Sequence, residues 1–231
     1  MPTLQYLGHS AFQLEAEGVI VAVDPFLTGN PKASHAEKNL HPQTILLTHA
    51  HNDHVGDTVA IAKRTGAKVI ATFELGEWLL SQGVTGAVPA NHGGTVAFEG
   101  GTVKLVPAWH TSSYFDGKTF VAPGVPAGLV VRFGGKTAYF AGDTCLFGDM
   151  ALIGEEVGGL DLAVLPIGDH FTMGPADAVR AATLLKPGLV VPCHYGTFPP
   201  IEQDAAAFAA NVEAEVGCRC VPLQPGETLE F

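Results

Sequence analysis

Thr44-Ile45-Leu46-Leu47-Thr48-His49-Ala50-His51-Asn52-Asp53-His54 is the stretch on which the reading of the fold turns. Its first five residues are apolar or β-branched and of strand length. They run directly into four potential metal ligands, His49, His51, Asp53 and His54, within six residues. Four such groups cannot all face one way from a regular strand or helix. A loop at the carboxyl end of a strand can aim them at two adjacent points. Imidazole and carboxylate are the ligands expected of zinc, manganese or iron. A helix is expected to follow from Val55.

Working outward, apolar runs of similar length recur at Val19–Asp24, Lys68–Thr72, Val103–Trp109, Ala127–Phe133, Thr137–Ala141, Asp161–Pro166 and Leu189–Cys193. Several are nearly continuous rather than alternating, as strands covered on both faces tend to be. Three end in a further candidate ligand: His110, Asp143 and His194. Gly142 beside Asp143 lets the backbone come close there. Open α/β sheets collect their chemistry at the carboxyl ends of strands, so these placements reinforce one another. Helical periodicity is read over Val55–Arg64, Glu74–Ser81, Pro175–Lys186 and Glu202–Val216. The third is delimited by Gly174-Pro175 at its start and Lys186-Pro187-Gly188 at its end.

Composition narrows the function. The 231 residues are 47% hydrophobic and 15% charged, which suits one packed domain over 1–231 and excludes disorder. A net charge of −11 argues against a nucleic-acid surface. No apolar stretch reaches the roughly 18 residues of a membrane helix. The N-terminus has no signal-like apolar core. Cys145, Cys193, Cys218 and Cys220 form no Cys-x-x-Cys pair and read as free thiols of a reducing compartment, so a cytoplasmic location is expected.

His-x-His-x-Asp-His, followed by a lone His, a Gly-Asp and a further His, resembles the signature of the metallo-β-lactamase superfamily. The resemblance implies an αββα sandwich, two mixed sheets flanked by helices, holding two divalent ions. It implies that His49, His51 and His110 hold one ion, that Asp53, His54 and His194 hold the other, and that Asp143 bridges them. Exported β-lactamases of this fold usually carry Cys where Asp143 stands. Flavodiiron proteins place an acidic residue at the position of His51. Glyoxalase II and acyl-homoserine-lactone lactonases usually follow the motif with Gly-Gly, where this chain has Val55-Gly56. The chain is most similar to the branch of metal-dependent hydrolases near the ascorbate-6-phosphate lactonase group. That likeness rests on Leu7-Gly8-His9-Ser10, Asp24-Pro25 and Pro166-Ile-Gly-Asp-His170-Phe-Thr-Met-Gly174-Pro175.

The expected reaction is hydrolysis of a small ester or lactone by a hydroxide shared between two ions, with zinc the default and manganese, iron or nickel acceptable. Asp53 is expected to orient the nucleophile and carry the proton. His170, between a strand end and a helix start, is a candidate catalytic and substrate-binding group. His9 and Tyr195 are candidate substrate contacts. His35, His41 and His92 read as exposed. A phosphodiesterase is the alternative, disfavoured because Arg64, Arg132, Arg180 and Arg219 all lie away from the ligand motifs. A non-catalytic metal-binding protein is the third reading. A homo-oligomer is left open, and no nucleic-acid or membrane partner is expected.

Overall fold

Apolar runs that are continuous rather than alternating become strands covered on both faces. The computed structural model describes residues 1–156 and 158–231. The first sheet contains β1 (Thr3–Gly8), β2 (Ala11–Ala16), β3 (Val19–Val23), β4 (Thr44–Leu46), β5 (Lys68–Thr72), β6 (Ala87–Ala90) and β16 (Thr228–Glu230), in the order β16-β1-β2-β3-β4-β5-β6. The second contains β7 (Thr95–Phe98), β8 (Gly101–Pro107), β11 (Ala127–Phe133), β12 (Lys136–Phe140), β13 (Leu162–Pro166), β14 (Leu189–Cys193) and β15 (Arg219–Cys220), in the order β15-β14-β13-β12-β11-β8-β7. A small hairpin, β9 (Tyr114–Phe115) and β10 (Phe120–Val121), stands apart from both.

Period-two alternation sends each strand's residues into two different cores. Val21, Val23, Leu46 and Ile70 meet Leu105, Leu129, Val131 and Val164 between the sheets. The intervening Ile45, Leu47, Val69 and Ala71 pack under α2 (Thr58–Thr65) and α3 (Phe73–Ser81). On the far side, Ala163, Leu165 and Val190 lie under α5 (Pro175–Leu185) and α6 (Ala205–Glu215). Four layers result, helix, sheet, sheet and helix, as the resemblance implied. Pro175 opens α5, and Lys186 closes it in a left-handed conformation with φ 51°.

One element departs from the expectation. Helix starts not at Val55 but at Asn52, as the single turn α1 (Asn52–Val55), and breaks at Gly56. Gly56 has φ 44°, and a Cβ there would sit 2.5 Å from Phe26 Cα, so only glycine fits the break. Asp53 and His54 therefore leave from a helical turn rather than from a loop. The strands β1, β2, β6, β7, β9, β10, β15 and β16 and the helix α4 (Met150–Glu156) fall outside the predicted runs. Several of these are short or carry polar residues on one face, which weakens their apolar signal.

Pairing directions fix where the chemistry lies. β1 and β2 are antiparallel, as are β2 and β3, while β3 and β4 run parallel. The carboxyl ends of β1, β3 and β4 thus share one edge. In the second sheet β8, β12, β13 and β14 likewise point one way. Backbone bonds tie the two edges together: Ala127 N donates to Thr48 O at 2.9 Å, and His194 N to His9 O at 2.9 Å.

Candidate metal centre

Both strand edges deliver ligands to one place. His49 and His51 follow β4, and Asp53 and His54 sit on α1. His110 follows β8, Asp143 follows β12, and His194 caps β14 in a left-handed conformation with φ 54°. Gly142, with φ 61°, allows β12 to end against Thr48; a Cβ on it would lie 2.7 Å from Thr48 Cβ.

Two groups of ligand atoms form, each with all members within 4.8 Å of one another. His49, His51, His110 and Asp143 make the first, and His9, Asp53, His54 and His194 the second. Asp143 touches both. Its Oδ2 lies 3.5 Å from His110 Nε2 and 3.1 Å from His194 Nε2, and its Oδ1 lies 3.3 Å from His54 Nε2. All seven expected ligands are brought together, and Asp143 stands between the two sets.

His9 is an addition to the second set. It occupies the tight turn between β1 and β2 with φ 62° and is completely buried. Its Nε2 lies 3.1 Å from Asp53 Oδ2 and its Nδ1 2.9 Å from Thr197 Oγ1. Its contacts are with Asp53, not with the open cavity.

The imidazoles are aimed by partners the sequence analysis did not assign. Asp24, at the end of β3, lies with Oδ2 2.8 Å from His54 Nδ1. It also accepts from Thr48 N at 2.9 Å and Thr48 Oγ1 at 2.6 Å. Such a carboxylate fixes the tautomer and leaves Nε2 as the ligating atom. Thr48 Oγ1 lies 3.0 Å from His49 Nδ1, and Thr111 Oγ1 3.3 Å from His51 Nε2. Asp24 was legible in principle, since it ends a strand on the same edge as the ligands.

The residues fit a cation. His54 Nε2 and Asp143 Oδ1 are buried and make no hydrogen bond, which is costly for polar atoms unless something else satisfies them. Burial, aided by the neighbouring histidines, holds His49, His51 and His110 below the ordinary histidine range, which favours the neutral form that metal binding requires. Burial also pushes His9 down to about 4, opposed by Asp53. Burial disfavours a charge on His194, yet Asp143 and Asp53 carry it up to about 9. His54 is likewise raised against its burial by Asp143 and Asp24. Burial opposes ionisation of Asp53 and Asp143, but the surrounding histidines hold both well below the usual carboxylate range.

A cavity of about 360 Å³ opens over this cluster, lined by His51, Asp53, His110, Asp143 and His194 together with Asn52, Thr111, Ser113, Phe120 and Phe171. The other predicted substrate groups lie elsewhere. His170 is exposed and packs edge-on to Phe171 at 4.5 Å, so Phe171, not His170, reaches the cavity. Tyr195 turns away because His194 before it is left-handed; it borders a separate small hollow with Tyr6, Lys32 and Leu223. Cys193 points into the core between the sheets, and Cys145 is exposed and in neither ligand group. His41 and His92 are exposed, while His35 is half-buried against Ser34 Oγ at 2.8 Å.

A four-layer sandwich with a histidine and aspartate cluster at one shared sheet edge defines a metal-dependent hydrolase of the metallo-β-lactamase fold. The sequence model described as the Beta-lactamase superfamily domain matches residues 20–195. A UPF0173 metal-dependent hydrolase of Thermus thermophilus is 53% identical over 231 residues, covering all of both chains. A relative of the same name from Methanopyrus kandleri is 46% identical over 229 residues, covering 98% of this chain and 99% of its own. The solved structure of a metallo hydrolase from the archaeon Ignicoccus hospitalis superposes with a TM-score of 0.88 at 40% identity, covering 100% of this chain and 99% of that one. The chain belongs to the UPF0173 metal-dependent hydrolases of the β-lactamase superfamily. No helix among the described residues is long and apolar enough to cross a membrane.

Proposed function

We propose that the chain is a dinuclear metal-dependent hydrolase acting on a small uncharged ester or lactone. The observation that carries this is Asp143, whose one carboxylate lies 3.5 Å from His110 in one ligand set and 3.3 Å and 3.1 Å from His54 and His194 in the other. In this reading His49, His51 and His110 hold one ion, Asp53, His54 and His194 the other, and Asp143 both. His9 serves Asp53 rather than an ion. Zinc is the expected metal, by its liking for imidazole and carboxylate.

When bound, such ions supply Lewis acidity that brings the pKa of a water near neutrality and polarises the substrate oxygen. The remaining work belongs to the chain. Asp53 is kept anionic by His9 and His194 and lies at the cavity wall, where it can accept a proton and return it to the leaving alcohol. His9 and Thr197 hold that carboxylate in one orientation.

The lining favours ester over phosphodiester chemistry. Among the described residues no lysine or arginine reaches the cavity, so a phosphate would find no clamp beyond the centre itself. The likeness to ascorbate-6-phosphate lactonases is therefore carried forward as lactone opening, without its phosphate recognition. The test compares turnover of a lactone panel with turnover of bis(p-nitrophenyl) phosphate by metal-reconstituted protein, with Asp143→Asn as control. Lactone hydrolysis lost in the variant supports the reading. Preferential phosphodiester cleavage reverses it, and no turnover with two ions bound points to a non-catalytic role.

A further inference from the structure

The cavity changes character away from the ligand cluster. Phe120 and Phe171 line it, yet they are 74% and 56% exposed. Rings of that size left in water forgo about 1.5–3 kcal/mol each of burial, and exposed apolar patches beside a functional cleft mark ligand contact. The two rings come from separate loops: the β9–β10 hairpin and the segment between β13 and α5.

Each ring has an aromatic neighbour. Phe120 lies against Phe115 with centroids 4.9 Å apart, and Phe171 against His170. Asp116 Oδ1 accepts from Lys118 N at 2.8 Å and Thr119 N at 2.7 Å, closing the hairpin tip. The hairpin is then gripped by Asn52. Its Nδ2 donates to Phe115 O at 2.9 Å, and its Oδ1 accepts from Phe115 N at 2.8 Å. Asn52 sits between His51 and Asp53, so the ligand motif itself sets the height of Phe120 over the centre. A wall ordered in advance of binding spends little of the binding energy on ordering.

The other groups lining the outer cavity, Asn52, Thr111 and Ser113, are neutral. We infer that the part of the substrate remote from the scissile bond is an uncharged apolar ring, aryl or similarly flat, that seats against Phe120 and Phe171. This rests on the ester or lactone reading for the reacting end, and specifies the other end. His170 then acts on Phe171 and not on the substrate.

The test uses metal-reconstituted protein and two kinds of probe. Benzohydroxamate and acetohydroxamate share one metal-binding head and differ in the ring, and calorimetry reads their relative affinity. Benzyl alcohol, which has no such head, reads the ring site alone by saturation-transfer NMR. Benzohydroxamate is expected to bind about tenfold tighter than acetohydroxamate, a step of about 1.4 kcal/mol. The ratio should fall toward one in Phe120→Ala and Phe171→Ala, and partly recover in Phe120→Leu. Benzyl alcohol should show transfer to its ring that fades in both alanine variants. Thermal melts confirm that the variants fold. Equal hydroxamate affinities together with no ring transfer overturn the inference, even if lactones are turned over. Ring preference without any lactone turnover leaves the ring site standing and overturns the ester or lactone reading instead.

Discussion

Asp24 and His54 form a fully buried pair, with Asp24 Oδ2 2.8 Å from His54 Nδ1, and the same carboxylate is held by both the amide and the hydroxyl of Thr48. Asp24 thereby orients a candidate ligand without lining the cavity. Asp24→Asn keeps the size but loses the anion that orients the imidazole. Metal affinity should drop about 10–100-fold. Chelator competition with metal content read by mass spectrometry checks this; unchanged affinity would remove Asp24 from the centre.

Asp143→Asn acts on both ligand sets at once. Bound metal should fall from two ions per chain to one or none, with hydrolysis lost in parallel. In the native protein, chelation should lower the melting temperature, since ligand at about 100 times its Kd contributes about 2.7 kcal/mol to the folded state. A melt insensitive to both chelator and added metal contradicts the assignment.

Gly142→Ala forces a side chain to within 2.7 Å of Thr48 Cβ at a φ of 61°. Left-handed strain and the clash together should cost about 1–3 kcal/mol or more, read by urea denaturation. Gly148→Ala meets nothing within 4 Å and has no such backbone constraint, so it serves as the neutral control.

Lys136 Nζ lies 2.8 Å from Asp161 Oδ1, and Thr137 N donates to Oδ2 at 2.8 Å. Partial burial raises the Asp161 pKa, but these partners outweigh it and lower the carboxyl. A depressed folded pKa stabilises above the unfolded value near 3.9 and loses that contribution as pH falls through the folded value. With about a third of both side chains in solvent, Asp161→Asn should cost under about 1 kcal/mol at pH 7. The difference from the native protein should close as pH falls through the folded value; a gap that widens on acidification would falsify the pairing.

Thiol accessibility separates Cys145 from the buried Cys193 and Cys220. Cys145 is exposed, whereas Cys220 is buried and its thiol is pushed up to about 12 by burial and by Cys218 and Glu213. A disulfide reagent near neutral pH should modify Cys145 in the folded protein and reach Cys193 and Cys220 only after denaturant.

Much of this architecture is written in the chain because the buried strands leave no room for polar residues. β5, β11 and β14 have the bounds their apolar runs predict. Strands such as β2, where Gln13 and Glu15 alternate with Phe12 and Leu14, make no continuous apolar run. The seven candidate ligands were visible as polar residues at or just beyond strand ends, since a charge or imidazole there breaks an apolar pattern abruptly. Asp24 broke the pattern in the same way, but its partner, His54, lies 30 positions away, and only the parallel pairing of β3 with β4 brings them together. His170 and Tyr195, which do not line the cavity, each follow a residue with a left-handed backbone angle. Asp169 at φ 70° and His194 at φ 54° redirect the residues that follow them, and no spacing rule carries that information.

The contact between His9 and Thr197 spans 188 positions of sequence. A nascent chain emerging from its amino end therefore displays His49, His51, Asp53 and His54 long before His194 exists to complete them. Long-range closure of this kind is slow relative to local structure. The second candidate set is therefore complete only once His194 has been made, and a chain truncated before residue 194 carries only part of it.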